Sequence, residues 1–195
     1  MRAGELVAHR VVDWTDCEFV GRDFRDDDLS RLHTERVVFT ECDFSGVNLA
    51  ESEHLGSAFR NCTFNLTTLW HSTFRQCSML GSVFVRCRFR PLTLDEVDFT
   101  LTALGGNDLR GIDFSGCRLR EANLVEADLR KTVLRGADLS GARSTGTRLD
   151  DADLRGAVVD PSLWTTASLT RARIDIEQAL AYAAAHGLRL DGASA

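Results

Sequence analysis

The 195-residue sequence lacks the features that mark membrane, secreted and metal-binding proteins. No apolar run approaches the roughly 18 residues of a membrane span, and the opening segment MRAGELVAHRVVDW has no apolar signal-peptide core. No Cys-x-x-Cys pair is present, and no histidine is spaced to complete one. These absences predict a cytoplasmic protein with no membrane partner and no metal.

Patterns typical of catalysis are also absent. The five histidines are scattered along the chain, and the glycines recur at a fixed phase that indicates turns and not a phosphate-binding loop. A catalytic site needs a concave surface with converging groups, whereas a regular repeat surface of Arg, Asp, Glu, Ser and Thr is convex. We therefore expect neither an enzyme nor a cofactor.

What the sequence does contain is a five-residue repeat. Steps of five from Leu124 in both directions reach 33 positions from Trp14 to Ile174; thirty of them are apolar, and all eleven phenylalanines lie on them. The exceptions are Thr34, His54 and Ser144. The period fits neither a helix nor an alternating strand, so the large apolar residues predict the buried side of a stacked unit.

Two other positions complete the unit. Small residues recur two positions before each large apolar residue, and all six cysteines lie there, which indicates small buried hydrophobes in a reducing compartment. Eleven of the fifteen glycines lie two positions after the large residue, as expected for a turn that needs a permissive backbone. A unit this short cannot bury its apolar face alone, so neighbouring units must stack.

The A-(D/N)-L-x-x units, such as Ala122-Asn123-Leu124 and Ala127-Asp128-Leu129, resemble the pentapeptide repeat family over roughly residues 12 to 175. The resemblance implies an all-β solenoid, a right-handed quadrilateral β-helix of about eight coils with four units per turn. The expected organisation has three parts. They are an N-terminal arm at 1–13, the β-helix at 14–174, and a C-terminal α-helix for capping and dimerisation, with its tail, at 175–195.

Four units per turn would make residues twenty apart neighbours in one column. Thr34 and His54 then form one local irregularity, where we expect a bulge or looser loop with a satisfied or outward-turned histidine. Cys42 and Cys62 would stack about 4.8 Å apart, within disulfide reach. Parallel side chains in a packed column have poor disulfide torsions, so free thiols are expected at all six cysteines.

The segment DIEQALAYAAAHGLRL departs from the repeat. Asp175 and Gln178 form a capping-box pattern, and Gly187 suits a left-handed stop, which predicts a helix over Ile176 to His186. Its apolar face could cover the last coil, form a two-fold dimer contact, or do both, and we favour a homodimer. The expected dimer interface comprises Ile176, Leu180, Ala183 and Leu188.

Charge is uneven along the chain. Residues 1–53 have a balance of −7, residues 54–94 of +5 with no acid, and residues 95–195 of −4. An acidic rod of roughly duplex width could occupy a basic DNA-binding surface, although it would not itself bind nucleic acid well. A duplex carries about 22 charges over the expected ~38 Å, so mimicry by this chain must be local.

Longer stretches, among them DCEFVGRDFRDDDLSRLHTERVVFTECDFSGVNLAES, TLWHSTF and RPLTLDEVDFTL, resemble the mycobacterial fluoroquinolone-resistance members of the family nearly end to end. This implies a cytoplasmic homodimer, joined through C-terminal helices, that imitates DNA, binds DNA gyrase, modulates its supercoiling and ATPase activity and protects it from fluoroquinolones. The alternative is a general protein-interaction rod with another partner.

Aspartates one position before the large apolar residue are the expected gyrase contacts, since they should point outward. Aspartate at this position also caps turns by bonding nearby backbone, so each has a purely structural alternative. Secondary candidates are Glu121, Glu126, Asp150 and Asp151. The expected gyrase-binding residues are Asp98, Asp108, Asp113, Asp128, Asp138 and Asp153, with Asp108 and Asp128 as vertical neighbours.

Overall fold

The computed structural model describes residues 12–189. The expected N-terminal arm lies outside the described residues except for Val12 and Asp13, as does the tail from residue 190 onward. The described part contains β1 (Asp13–Thr15), β2 (Glu18–Val20), β3 (His33–Glu35), β4 (Val38–Thr40), β5 (Glu53–Leu55), β6 (Ala58–Arg60), β7 (Thr63–Asn65), β8 (Ser72–Arg75), β9 (Val83–Val85), β10 (Leu92–Asp95), α1 (Pro161–Thr166) and α2 (Ile176–Ala185).

The strands pair in parallel at steps of twenty residues. β1, β3, β5, β8 and β10 form one sheet, β2, β4 and β6 a second, and β7 and β9 a third. Trp14 lies opposite Thr34, which lies opposite His54, which lies opposite Phe74. The predicted β-solenoid and its twenty-residue columns are therefore confirmed.

Bridges at the same step define four faces, one for each five-residue unit of a turn. Face A begins at Asp13, face B at Glu18, face C at Asp23 and face D at Asp28. Each face continues at steps of twenty residues and includes the turn that follows each bridge. The solenoid is therefore four-sided, and chemistry repeated along one face must recur every twenty residues.

The expected count of about eight coils is wrong for the regular β-structure. The longest sheet has five strands, which cover about four turns and end at Asp95. Beyond it the twenty-residue step continues through single bridges, the last of them between Asp153 and Arg173. In these units a hydrogen bond closes the turn within the unit itself, as between Thr132 N–H and Leu129 O at 3.3 Å. Only one residue of each unit then pairs with the neighbouring coil as a β-bridge.

The core consists of the large residues predicted from the repeat. In the N-terminal half the rings of Phe19 and Phe59 stack on Phe39 at 5.3 and 4.8 Å, and Phe44 stacks on Phe64 at 5.0 Å. In the C-terminal half leucines fill most of the large positions, alanines fill many of the small positions two residues earlier, and most of both are buried. The apolar column therefore runs along the solenoid axis, and polar side chains remain on the faces.

The irregularity expected at Thr34 and His54 is wrong, since both lie in regular strands and are buried. Thr34 Oγ1 lies 2.7 Å from His54 Nδ1 and 3.0 Å from Ser57 Oγ, and His54 Nε2 lies 2.9 Å from Ser52 Oγ. The imidazole also stacks on the Phe74 ring at 4.5 Å. Both imidazole nitrogens therefore have hydrogen-bond partners, which agrees with the expectation of a satisfied histidine. These contacts let His54 occupy a position that an aromatic ring fills elsewhere, without distorting the coil.

All six cysteines are free thiols, as predicted, and all except the partly exposed Cys17 are buried. The thiols of Cys42 and Cys62 donate to backbone carbonyls of Phe19 and Phe39, which uses the donor without a disulfide. Burial raises the pKa of Cys62 to about 12 and that of Cys77 to about 11. These thiols are therefore protonated core residues.

The short helix α1 was not predicted from the repeat. Asp160 is its N-cap residue and Pro161 occupies the first turn, a combination that favours helix initiation. Trp164 is nevertheless buried, as its repeat position predicts. The helix takes the place of one five-residue unit, and the twenty-residue step continues after it with the bridge between Arg148 and Ser168. The inward position of the large residue is thus retained on a different backbone.

Candidate interaction surface

The six candidate aspartates are first of all turn residues. Each accepts a hydrogen bond from the backbone N–H two residues later, at 2.9 to 3.3 Å. This is the Asx geometry that favours aspartate in turns. The structural role considered from sequence is thus present at all six, and any partner contact must use the remaining oxygen atoms.

The structure does not bring the six aspartates together. Bridges connect Asp98 through Arg118 to Asp138 on face B, and Asp113 through Val133 to Asp153 on face A. A direct bridge joins Asp108 and Asp128 on face D, which confirms that these two are vertical neighbours. The candidates therefore form three pairs on three faces.

Asp153 was expected to point outward, and this is wrong. It is 6% exposed, and its carboxylate lies 2.8 Å from Arg135 Nε and 2.7 Å from Arg155 Nη2, with Arg173 Nη1 at 3.8 Å. The hydrogen bond from Arg155 is the main reason that the pKa of this carboxyl is held far below its usual range. Three arginines thus cover Asp153 and leave it little surface for a partner.

Asp108 and Asp128 are also engaged by arginines. Arg90 Nη2 and Arg110 Nη2 lie 2.6 and 2.7 Å from Asp108, and Arg130 Nη2 lies 2.6 Å from Asp128. The hydrogen bond from Arg110 is the main cause that lowers the pKa of Asp108 to about 2. On face D these two carboxylates therefore orient guanidinium groups that outnumber them.

The remaining candidates are less occupied by cations. Asp98 and Asp138 each accept a neighbouring hydroxyl, and their nearest arginine nitrogens are 3.8 and 3.7 Å away. Asp113 is exposed and accepts the Ser115 N–H. Glu121 is exposed at a left-handed turn position with φ 54°, on face B beside Asp98 and Asp138. Sequence reasoning placed Glu121 second, although its side chain is freer than those of the arginine-bound aspartates.

Helix α2 begins with the predicted capping box, in which Asp175 accepts the Gln178 N–H and the Gln178 side chain accepts the Asp175 N–H. The helix ends at Ala185, one residue before the expected His186, and Gly187 has the predicted positive φ of 76°. Its inward contact is polar. Gln178 Nε2 donates to the carbonyls of Leu154 at 2.7 Å and Ala157 at 2.8 Å. The Leu154 carbonyl also accepts the Ala157 N–H at 2.9 Å, so the amide matters most for the Ala157 carbonyl at the open end of the solenoid.

The apolar residues of α2 mostly face away from the coil. Ile176 is 80% exposed, Leu188 62% and Leu180 48%, while Ala183 is half-buried. The residues expected at the dimer contact are therefore mostly exposed, whereas Gln178 and Ala185 of the same helix pack against the end of the core. Exposed apolar side chains grouped on one helix are typical of a surface that a partner covers.

No helix in the range 12–189 combines the length and apolarity that crossing a bilayer requires. Within the same range no three or more His, Cys, Asp or Glu side chains are grouped to hold a metal ion. The polar surface that the structure presents consists of charged turns on four flat faces, which suits recognition of another macromolecule.

Comparison with known proteins supports the repeat. The family model for pentapeptide repeats matches eight copies, at residues 42–79, 98–136 and 127–160. The chain is 78% identical over 179 residues to the pentapeptide repeat protein MfpA of Mycobacterium tuberculosis, with 92% of this chain and 98% of the relative covered. It is also 78% identical over 59 residues to MfpA of Mycolicibacterium smegmatis, covering 30% of this chain and 31% of that protein.

Among solved structures, full-length QnrB1, described as a plasmid-mediated fluoroquinolone resistance protein, superposes with a TM-score of 0.50 at 19% identity. The match covers 90% of this chain and all of the QnrB1 chain, and at this identity it supports the fold. The repeat matches and the near full-length relative together show that the chain belongs to the pentapeptide repeat family.

Proposed function

We propose that this protein is a cytoplasmic, DNA-mimicking homodimer that binds DNA gyrase, modulates its supercoiling and ATPase activity, and protects it from fluoroquinolones. The 78% identity to MfpA supports a function shared with that protein, and the described resistance function of QnrB1 agrees with it. The proposal depends on the surface of the C-terminal half beside α2, where acidic residues outnumber basic ones on two faces.

The main support for DNA mimicry is an excess of acidic over basic residues on two adjacent faces. From residue 93 onward, the acids of face A outnumber its basic residues by two, and the same holds for face B. On face A the acids are Asp95, Glu96, Asp113, Asp153 and Asp175, against Arg135, Arg155 and Arg173; on face B they are Asp98, Glu121, Asp138 and Asp160, against Arg118 and Arg120. Adjacent acidic faces on a straight rod complement a basic groove that normally holds duplex DNA.

Within the proposed gyrase-binding set, the contacts should be unequal. Asp98, Asp113 and Asp138 lie on the acidic faces and have carboxylate oxygens available to a basic partner. Asp108 and Asp128 lie on face D and are held by arginines, and Asp153 is buried among them. We therefore assign the main contact to the first three and to Glu121.

The homodimer is proposed to form through Ile176, Leu180, Ala183 and Leu188. A two-fold contact at α2 would bury the exposed apolar face and place the acidic C-terminal halves of two rods end to end. Leu180→Glu should convert the dimer to a monomer in sedimentation velocity, whereas Ala181→Glu, on the flank of the same helix, should leave it intact. A wild-type monomer at all concentrations would contradict this interface.

The function is tested by supercoiling with purified mycobacterial gyrase, with and without this protein, at two salt concentrations and with and without a fluoroquinolone. The expected result is a protein-dependent change in supercoiling or in drug-trapped cleavage that weakens as salt rises, because charge complementarity is screened. No change up to a large molar excess would contradict gyrase as the target and favour an interaction rod with another partner.

The contact assignment is tested by charge reversal at Asp98, Asp113 and Asp138 together, measured as gyrase affinity. A matched control reverses Glu18, Glu41 and Glu53, which changes net charge equally in the N-terminal half. The first variant should bind at least about tenfold more weakly than the control, since interface charges act locally. Equal losses in the two folded variants would remove the assignment and leave only a net-charge effect.

A further inference from the structure

Face D carries the opposite charge from faces A and B. From Arg88 to Arg171 its basic residues outnumber its acids by three, while face C has a surplus of one base over the corresponding coils. The basic residues of face D are Arg88, Arg90, Arg110, Arg130, Lys131, Arg148 and Arg171, and its acids are Asp108, Asp128, Asp150 and Asp151. Positive charge is therefore concentrated on one side of a rod whose net charge is −6.

The guanidinium groups on this face are held in a line. Arg110 donates through Nε and Nη2 to Asp108 at 2.8 and 2.7 Å, and Arg130 donates through the same atoms to Asp128 at 2.8 and 2.6 Å. The two aspartates are bridge partners, so the two groups repeat along the rod by one coil. Each guanidinium donates to its aspartate through Nε and Nη2, and within residues 12–189 its Nη1 donates no hydrogen bond. The N–H groups on Nη1 are therefore available to an external anion.

An exposed aromatic ring continues this line. Trp70 is 50% exposed, and its ring lies 4.7 Å from that of His71. A depression of about 390 Å³ lined by Trp70, Arg88 and Arg90 adjoins one of about 510 Å³ lined by Arg90, Arg110, Arg130, Lys131 and Arg171. Asp108 also lines the first and Asp150 and Asp151 the second, so six basic residues face three acids in the two depressions. Arg90 belongs to both, so the ring and the row of cations border one shallow groove along face D.

We propose that face D binds single-stranded nucleic acid, with phosphates along the arginines and a base stacked on Trp70. A linear row of cations fits a linear polyanion better than a compact acidic patch, and a flanking exposed ring adds a surface on which a base can stack. This site is independent of the proposed gyrase function and uses a different face. The expectation of no direct nucleic-acid binding came from net charge, which averages over all four faces.

The test uses the full-length protein and a fluorescent oligothymidylate of about 20 nucleotides, followed by fluorescence anisotropy. Binding should be weak, with a Kd on the order of 10⁻⁴ to 10⁻⁶ M, and should weaken strongly between about 50 and 200 mM salt. The combined variant Arg90→Gln, Arg110→Gln and Arg130→Gln should bind at least about tenfold more weakly.

A matched control replaces Arg60, Arg75 and Arg86 with glutamine, which changes net charge equally but on the other three faces. This control should stay within about twofold of wild type, and Trp70→Ala, which removes no charge, should weaken binding at least about fivefold. Circular dichroism checks that each variant is folded. If the arginine variant does not fold, the Trp70→Ala variant still tests the proposal.

Three outcomes would overturn the proposal. The first is no anisotropy change at low salt with protein at about 100 µM, the upper end of non-specific affinities. The second is equal weakening by the face D variant and its control. The third is competition by poly-L-glutamate as effective as that by unlabelled oligothymidylate, together with no effect of Trp70→Ala, which would instead indicate an acidic protein partner.

Discussion

The two halves of the rod share one five-residue repeat but close their turns differently. In the C-terminal half the small residue bonds back within its own turn, as Thr132 N–H does to Leu129 O. In the N-terminal half several turns are open and use the next coil, as where Cys62 N–H donates to Ser82 Oγ at 3.0 Å. One sequence period therefore supports two backbone forms, and the hydrogen-bond partner of the small residue distinguishes them.

The halves also differ in what fills the core. Stacked phenylalanine rings occupy the N-terminal half, and leucine with alanine occupies most of the C-terminal half. The open turns coincide with the three-residue strands and the aromatic columns, whereas the closed turns coincide with single bridges. Local turn chemistry and core size thus change together along the rod, and each can be tested separately.

The largest expected effect is the loss of a central ring from the aromatic column. Phe39 is fully buried between Phe19 and Phe59. Phe39→Ala should lower the free energy of unfolding by about 3–5 kcal/mol, because it removes apolar burial and leaves a cavity between two rings. Urea denaturation measures the change, and Thr40→Ala, at the next residue of β4, is the control. Similar losses in both variants would contradict the role of the column.

The second effect depends on pH and belongs to the N-terminal half. Burial lowers the pKa of His54 to about 3, whereas the unfolded chain takes up this proton near pH 6.5. The folded state therefore binds fewer protons between these values, and stability should fall as pH drops, by roughly 1.4 kcal/mol per unit. Carboxylates also titrate in this window, so the measurement compares wild type with His54→Phe.

That comparison has a clear expected sign. The phenylalanine variant should lose less stability on acidification, because its ring can stack on Phe74 without a proton to exclude. The imidazole should show no titration above about pH 4 by NMR. Parallel stability curves for the two proteins between pH 6.5 and 4 would show that His54 is not the buried neutral group described here.

The third effect concerns the end of the C-terminal half. Gln178→Ala removes the donor to the Ala157 carbonyl and should cost about 1–3 kcal/mol, since a buried acceptor loses its partner, whereas the Leu154 carbonyl still accepts the Ala157 N–H. Glu177→Ala, on the exposed side of α2, should cost clearly less. Denaturation of both variants measures this, and an equal small loss would mean that water replaces the amide at the open end.

Much of this architecture follows from sequence, because the five-residue period and the capping box each have few structural solutions. The buried phenylalanines, the free thiols and the start of α2 were predictable from these patterns, whereas the twenty-residue columns were expected from the family resemblance, which implies four units per turn. Helix α1 could have been found from Asp160 and Pro161, which favour helix initiation, but the continuing inward position of Trp164 concealed it.

The candidate surface was less predictable, because it depends on which arginine each aspartate meets. The repeat places Asp108, Asp113 and Asp153 at the same position of the unit, yet one is held by Arg110, one is exposed and one is buried among three arginines. Those partners are up to twenty residues away in sequence and are set by the column. The opposite charge of face D likewise emerges only when the coils are stacked.

The smallest expected effect is that of Thr132→Ala, and its comparison with Ser82→Ala separates the two turn types directly. Ser82→Ala removes the acceptor of the Cys62 N–H, a buried donor in an open turn, and should cost about 1–3 kcal/mol. Thr132→Ala removes a hydroxyl that donates to Leu129 O at 2.7 Å, but that carbonyl still accepts the residue 132 N–H, so the loss should be about 1 kcal/mol or less. Denaturation gives both values, and amide hydrogen exchange at Cys62 should accelerate only in the first variant. If the two substitutions cost the same and the Cys62 amide stays protected, the open turn does not depend on its neighbour, and the contrast between the halves reduces to the size of their core residues.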